Sequence, residues 1–329
     1  MNIISLFCGA GGMDIGFEQA GFKTTWANEY DKAIAPSYKK YFKDTVLDTR
    51  SIREIKNEEI PKKNIQGVIG GPPCQSWSQA GSRRGIEDPR GQLFYEYLRI
   101  IEHVSPKFFV AENVAGLIHK RNLNTFNNII NLFEEIGYKL TWKLVNSSDY
   151  EVPQDRKRVI IVGYKKNLNK TFEFPKSIES KKTMQDAIGN LSNLTLGSSK
   201  GIKNHELIES GFSSIFLSRN RVRGWNQQSY TILASDRHIP FHPSAPKMIK
   251  VGKDKMELAK DKTHLYRRLT VRECARIQTF PDQYEFLYKN IRAGYKMIGN
   301  AVPIKLAYHI AKKIKDDLEP RKKASNTTL

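Results

Sequence analysis

The chain has 329 residues, 39% of them hydrophobic, enough to bury a large core in one large domain with an insertion, or in two domains. Lysine and arginine number 54 against 34 aspartate and glutamate, a formal charge of +20, so a polyanion, nucleic acid first, is the expected partner. No apolar run approaches the roughly 18 residues of a membrane span, and the first residues lack a basic n-region, with Gly9 to Asp14 interrupting their apolar run; three distant cysteines point to neither a disulfide framework nor a metal site, so a cytoplasmic, metal-free protein is expected.

Taken in order, residues 2–7 read as a short buried strand, 8–12 as a glycine loop, and 13–20 as a helix closed by Gly21. A second strand over 22–28 ends at Glu29, about 20 residues beyond the glycine loop, the spacing at which a carboxylate grips a ribose diol. A nucleoside cofactor follows, although any tight strand-to-helix turn also selects glycine. No Gly-Lys-Ser/Thr follows the loop, which argues against a nucleoside triphosphate.

A helix over 31–41 precedes a strand ending in Gly70-Gly71-Pro72-Pro73-Cys74-Gln75-Ser76-Trp77-Ser78. Two glycines and two prolines continue neither strand nor helix, so the chain breaks there and carries the Cys74 thiol at a strand's carboxyl end. That is a nucleophile's position; the alternative is a buried, inert cysteine. The polar loop 76–91, with Arg83, Arg84 and Arg90, reads as a lid that closes on a polyanion.

Helix 93–104 and strand 107–111 lead to Glu112-Asn113-Val114, a second strand end on the same edge. Helix 122–136, capped by Gly137, is followed by strands over 138–146 and 158–163. Between these strands, Arg156 and Arg158 stand two apart on an extended segment and are expected to reach one target together. From 164 to 266 the long apolar runs thin out, as in a separate irregular domain with short strands. At its centre Arg219, Arg221 and Arg223 alternate along one expected strand face, with Arg237, His238 and His242 beyond, a pattern for reading bases or holding phosphate. A helix over 267–278 carries four arginines, Gly299-Asn300-Ala301-Val302-Pro303 follows, and an amphipathic helix spans 304–318 before a polar tail.

The segments 7–12, 71–75, 112–114, 154–158, 267–281 and 299–303 together resemble the ordered motifs of the DNA cytosine-5 methyltransferases, over nearly the whole chain. The likeness is greatest to the HaeIII-type bacterial modification methyltransferases, whose target is GGCC; it extends through 218–225 and departs at 236–240. The tRNA-methylating branch shares Pro-Cys-Gln and Glu-Asn-Val, but an insertion of about a hundred residues favours duplex DNA.

This resemblance implies an α/β, doubly wound, Rossmann-like methyltransferase domain over 1–164 and 267–329, with a small target-recognition domain inserted over 165–266. It implies S-adenosyl-L-methionine as cofactor, with Phe7, Gly9, Gly11 and Gly12 at the methionine end, Glu29 on the ribose, Tyr30 stacked on adenine and Asp48 at its amino group. Pro73, Leu93, Asn300 and Ala301 complete that pocket. It makes Cys74 the nucleophile, places Glu112 on the edge of the cytosine, and gives Arg156 and Arg158 to the flipped nucleotide. Gln75, Ser78, Arg84, Arg221, Arg223 and Arg237 would touch double-stranded DNA. The implied protein is a monomer that protects host DNA from a restriction endonuclease without a stable complex between the two.

Overall fold

The computed structural model describes residues 1–73, 92–191, 201–209 and 211–319. Five strands, β1 (Asn2–Leu6), β2 (Lys23–Asn28), β3 (Val46–Asp48), β4 (Ile65–Gly70) and β5 (Phe108–Val114), run parallel. Two more, β6 (Tyr138–Asn146) and β7 (Lys157–Lys165), complete one sheet in the order β3-β2-β1-β4-β5-β7-β6, with β7 antiparallel to both neighbours. The central strands are nearly continuous apolar runs, because both faces of a parallel sheet are covered: Ile3, Ile4, Leu6, Val68, Ile69 and Phe108 to Ala111 are all buried.

The covering helices follow from the same logic. On one face α1 (Gly12–Gln19) lies against the C-terminal α8 (Ile304–Leu318), so closely that a Cβ on Gly16 would sit 2.6 Å from the Ala307 methyl. On the other, α3 (Gln92–Val104) and α4 (Leu123–Glu135) bury Phe94, Tyr97, Phe126 and Phe133 against the sheet. Chain order reverses between β1 and β4, and a crevice therefore opens beyond the carboxyl ends of these strands, where doubly wound folds bind their ligands.

The region 165–266 contributes to two cores. Met184, Ile188, Leu191, Ile232 and Ile239 join the large cluster around Tyr38, Leu269 and Phe280, whereas Phe216, Val222, Phe241, Ala245, Met248 and Tyr266 form a small cluster of their own. Two expectations are corrected here. Residues 218–225 form no strand, and the one ladder among the described residues of this region is the hairpin of β8 (Ile249–Gly252) with β9 (Lys255–Glu257). The helix expected from 267 begins instead as α6 (Val271–Ile277), because Thr270 caps it by accepting from the Glu273 amide while the Glu273 carboxylate accepts from the Thr270 amide. No helix among the described residues is long and apolar enough to cross a membrane.

Candidate active site

The glycine loop turns sharply enough to need left-handed backbone at Phe7 (φ 53°), Gly9 (φ 56°) and Gly11 (φ 73°). The glycines serve different ends. Gly9 has open space where a side chain would stand and lines the crevice, whereas a Cβ on Gly11 would lie 2.4 Å from the Phe42 ring and one on Gly12 2.3 Å from the Val302 carbonyl oxygen. Gly11 and Gly12 thus let the loop pack against its own protein, whereas Gly9 faces open space in the lining.

Glu29, at the end of β2, accepts from the Gly9 amide at 2.9 Å and the Asp31 amide at 2.7 Å. Burial pushes its pKa up and these two amides pull it back. Beside it, Asp31 meets Lys296 at 2.9 Å; Lys296 comes from α7 (Ile291–Asn300), whose end carries Asn300 and Ala301 into the same lining. Three expected contacts fall outside that lining. Tyr30 is 67% exposed at the surface, Leu93 packs into the core cluster that Phe7 also touches, and the Asp48 carboxylate is taken by the Arg50 guanidinium at 2.7 Å, which lowers its pKa.

The other half of the crevice is built by β4, β5 and β7. Gly71, Pro72 and Pro73 leave β4, and the Asn113 amide donates to the Pro72 carbonyl at 2.9 Å, fixing the exit of that loop against β5. The Glu112 carboxylate meets Arg158 Nε at 2.8 Å, both side chains about nine-tenths buried. The Ser76 to Gly91 lid, together with Cys74, Gln75, Ser78 and Arg84, lies outside the described residues.

Arg156 and Arg158 do not share a target. Arg158 stands on β7 opposite Val114 and reaches across to Glu112, while Arg156, before the strand starts, turns inward and donates to the carbonyls of Ile232 (3.0 Å), Gly299 (2.9 Å) and Ala301 (3.1 Å). Burial, and then the like charge of Arg158, lower the Arg156 pKa. Arg156 borders the crevice but fastens its wall.

Arg221 and Arg223 are likewise committed. Flanking buried Val222, Arg221 donates to the Phe216 and Ile215 carbonyls at 2.8 and 3.1 Å, and Arg223 pairs with Asp155 and lies 4.2 Å over the Tyr230 ring. The alternation survives without the strand, and both guanidiniums turn to protein. Arg237 is exposed.

Everything that lines the crevice belongs to one cavity of about 420 Å³, with Phe7, Gly9, Glu29, Asn300 and Ala301 on one side and Pro73, Glu112 and Arg158 on the other. Sequence reasoning passed over Asp14, Asp31 and Lys296, which line it too. Asp14 had a signal, a lone carboxylate between Met13 and Ile15 on a helix buried from Gly12 to Phe17. The set suits a nucleoside with a polar tail: open backbone at Gly9, acceptor oxygens at Glu29 for a ribose diol, and adjoining space beside a paired carboxylate and guanidinium.

Comparison with known proteins gives the same assignment. Residues 1–316 match the family model described as C-5 cytosine-specific DNA methylase. The chain is 51% identical to the Type II methyltransferase M.FnuDI of Fusobacterium nucleatum, over 98% of this chain and 96% of that protein, and 48% identical to M.NgoPII of Neisseria gonorrhoeae, over 97% and 96%. Among solved structures it shares its fold with the Entamoeba histolytica methyltransferase EhMeth, at a TM-score of 0.74 and 20% identity over 97% of this chain and 99% of the other. The chain therefore belongs to the C-5 cytosine-specific DNA methylase family, as a Type II restriction-modification enzyme that transfers a methyl group from S-adenosylmethionine to C5 of cytosine in DNA.

Proposed function

We propose that the enzyme methylates a cytosine flipped out of double-stranded DNA within a GGCC-like site, and so shields host DNA from a cognate endonuclease. The observation that carries this reading is the single cavity in which the nucleoside side, Gly9 and Glu29, faces the base side, Glu112 and Arg158. The site itself rests on the likeness of 218–225 to the HaeIII-type enzymes. In this reading 165–266 is the target-recognition region, and the enzyme acts in the cytoplasm as a monomer without stable contact to the endonuclease.

Bound S-adenosylmethionine supplies an electrophilic methyl group. Cytosine C5 is too poor a nucleophile to take it unaided, so the Cys74 thiolate adds at C6 and drives electrons into the ring. A thiol of ordinary pKa, about 8.5, is only a few per cent ionised at neutral pH, so the reaction needs positive charge to favour the thiolate, with Arg158 a candidate source. Glu112 holds a proton at N3 as the C6–S bond forms, and Arg158, 2.8 Å from it, orients the carboxylate. C5 then takes the methyl group, a base removes its proton, and Cys74 leaves as the C5–C6 double bond re-forms. A base stacked in a duplex is out of reach of these groups, so flipping, at a few kcal/mol, is drawn from contacts to the DNA.

Bisulfite sequencing of plasmid DNA methylated by the purified enzyme tests the site. Protected cytosines confined to GGCC are expected; protection in another sequence overturns the GGCC reading while leaving the chemistry in place.

A further inference from the structure

Asp14 lies in the first turn of α1, wholly buried, yet it lines the cavity. Its two carboxylate oxygens accept from the Ser5 hydroxyl at 3.0 Å and the Tyr38 hydroxyl at 2.7 Å. Among the described residues, the ionisable groups that face it are Tyr38 from α2 (Ala35–Tyr41), Cys8 from the glycine loop, Glu18 from α1 and Tyr284 from the segment after α6, and Glu29 stands next to Cys8. None of these is a cation. The cations of the described lining are engaged elsewhere, Lys296 with Asp31, Arg158 with Glu112 and Arg156 with backbone carbonyls.

A buried carboxylate with no positive partner is costly, and the ordinary remedies are a cation or a proton. We propose that Asp14 is a methyl-donor-selective residue, whose carboxylate answers the positive sulfonium of S-adenosylmethionine and loses that partner when transfer leaves the neutral thioether of S-adenosylhomocysteine. Asp14 would thereby favour substrate over product, which assists product release. In the free protein the proton takes the cation's place: burial raises the Asp14 pKa to about 7, against the pull of the Tyr38 and Ser5 hydroxyls. Donor binding then expels that proton, and a neutral thioether does not. The inference rests on the donor's identity and is independent of the DNA site.

Titration calorimetry separates the two cofactor states without turnover, using sinefungin, whose protonated amine replaces the sulfonium, and S-adenosylhomocysteine. Run at pH 7 in phosphate and in Tris, wild-type protein should release about half a proton more with sinefungin than with the thioether. Sinefungin affinity should rise on the order of tenfold from pH 6 to pH 8 while thioether affinity stays flat. Asp14→Asn should lose about tenfold for sinefungin and less than about threefold for the thioether. Equal loss for both ligands, or no excess proton release by the wild type, overturns the proposal. The wild-type measurement stands even if the variant fails to fold, and Tyr38→Phe, by removing a donor to the carboxylate, should move the pH midpoint upward.

Discussion

The carboxyl edge of the sheet and the region 165–266 both present polar side chains in regular patterns, but they use them oppositely. At the edge, Glu112 on β5, Arg158 on β7 and Glu29 after β2 come from separate strands and turn toward one cavity. In the region 165–266, Arg221 and Arg223 turn to carbonyls, a carboxylate and aromatic rings of the protein itself. Strand pairing dictates where a side chain at a strand end points; a coil leaves a long guanidinium free to find a partner. The direction of a side chain at a strand end is therefore easier to read from sequence than its partner, since Asp48 at the end of β3 turns to Arg50, and periodicity in a coil is a weak guide to contact.

The largest expected effect tests the proposed nucleophile. Cys74→Ser should lower methyl transfer on the order of a thousandfold or more while cofactor and DNA binding persist. Wild-type protein should form a covalent complex with DNA carrying 5-fluorocytosine, because fluorine cannot leave as a proton does, and Cys74→Ser should form none on a denaturing gel. Substantial turnover by the serine variant would end the covalent mechanism.

Next come the two arginines that sequence alone had given a single task. Arg158→Ala leaves Glu112 buried and unpaired, a change that costs about 3 to 5 kcal/mol in buried pairs, and kcat should fall roughly a hundredfold with KM for the donor little changed. Arg156→Ala removes hydrogen bonds to three carbonyls, so thermal stability and donor affinity should fall. If both variants lose kcat alike with stability intact, the arginines do act on one target, and the contrast between a strand residue and a junction residue fails.

Buried titratable groups extend the contrast to pH. In the apoprotein, raising the Asp14 pKa to about 7 makes the folded state hold a proton that the unfolded state gives up near pH 4, so this group's stabilising contribution falls as pH rises from about 4 to 7. His242, in the region 165–266, is pushed down to about 4 by burial, so its contribution is lost as pH falls from about 6.5 toward 4. Urea midpoints across pH 4 to 8 should steepen in opposite senses with Asp14→Asn and His242→Gln. A shared sense would show that one of the two sites opens to water before the fold is lost.

The pattern of legible and illegible features follows from the same physics. Buried strands with apolar runs, such as Ile3 to Leu6 and Phe108 to Ala111, announce themselves, and α8 spans Ile304–Leu318 with the bounds its periodicity predicts. Gly21 and Gly137 end their helices at φ 89° and 93°, as C′ glycines should. Pairings that join distant segments left no local trace. Nothing near Arg156 in sequence names Gly299 as its partner. Asp14 was visible as a polar residue in a buried helix, but its meaning needs Tyr38 and the cavity.

In the region 165–266, replacing Arg221 or Arg223 by alanine should weaken binding to cognate and scrambled duplexes alike, because the lost bonds hold the region together. Exposed Arg237 is the better candidate for base contact, and Arg237→Ala should lose discrimination of about 1 to 3 kcal/mol at one position. Competition binding at fixed salt measures both. Selective loss with Arg223→Ala would mean that this guanidinium leaves Asp155 for a guanine on the DNA.

The smallest effect returns to the edge, where Glu29 and Asp48 end neighbouring strands and were both expected on the cofactor. Glu29 lines the cavity, two backbone amides hold its oxygens, and burial has already stripped its water, so a ribose diol there gains charge-assisted bonds at little further cost. Glu29→Ala should lower affinity for S-adenosylhomocysteine by about 1.5 to 3 kcal/mol. Asp48 is outside the lining, and its guanidinium partner holds it at the surface in an exposed pair of little energetic consequence. Asp48→Ala should therefore change the same affinity by less than about threefold. Calorimetry on the two variants side by side decides the matter: a loss beyond tenfold at Asp48 would mean that the cofactor draws this carboxylate away from Arg50, and that both strand ends serve the pocket after all.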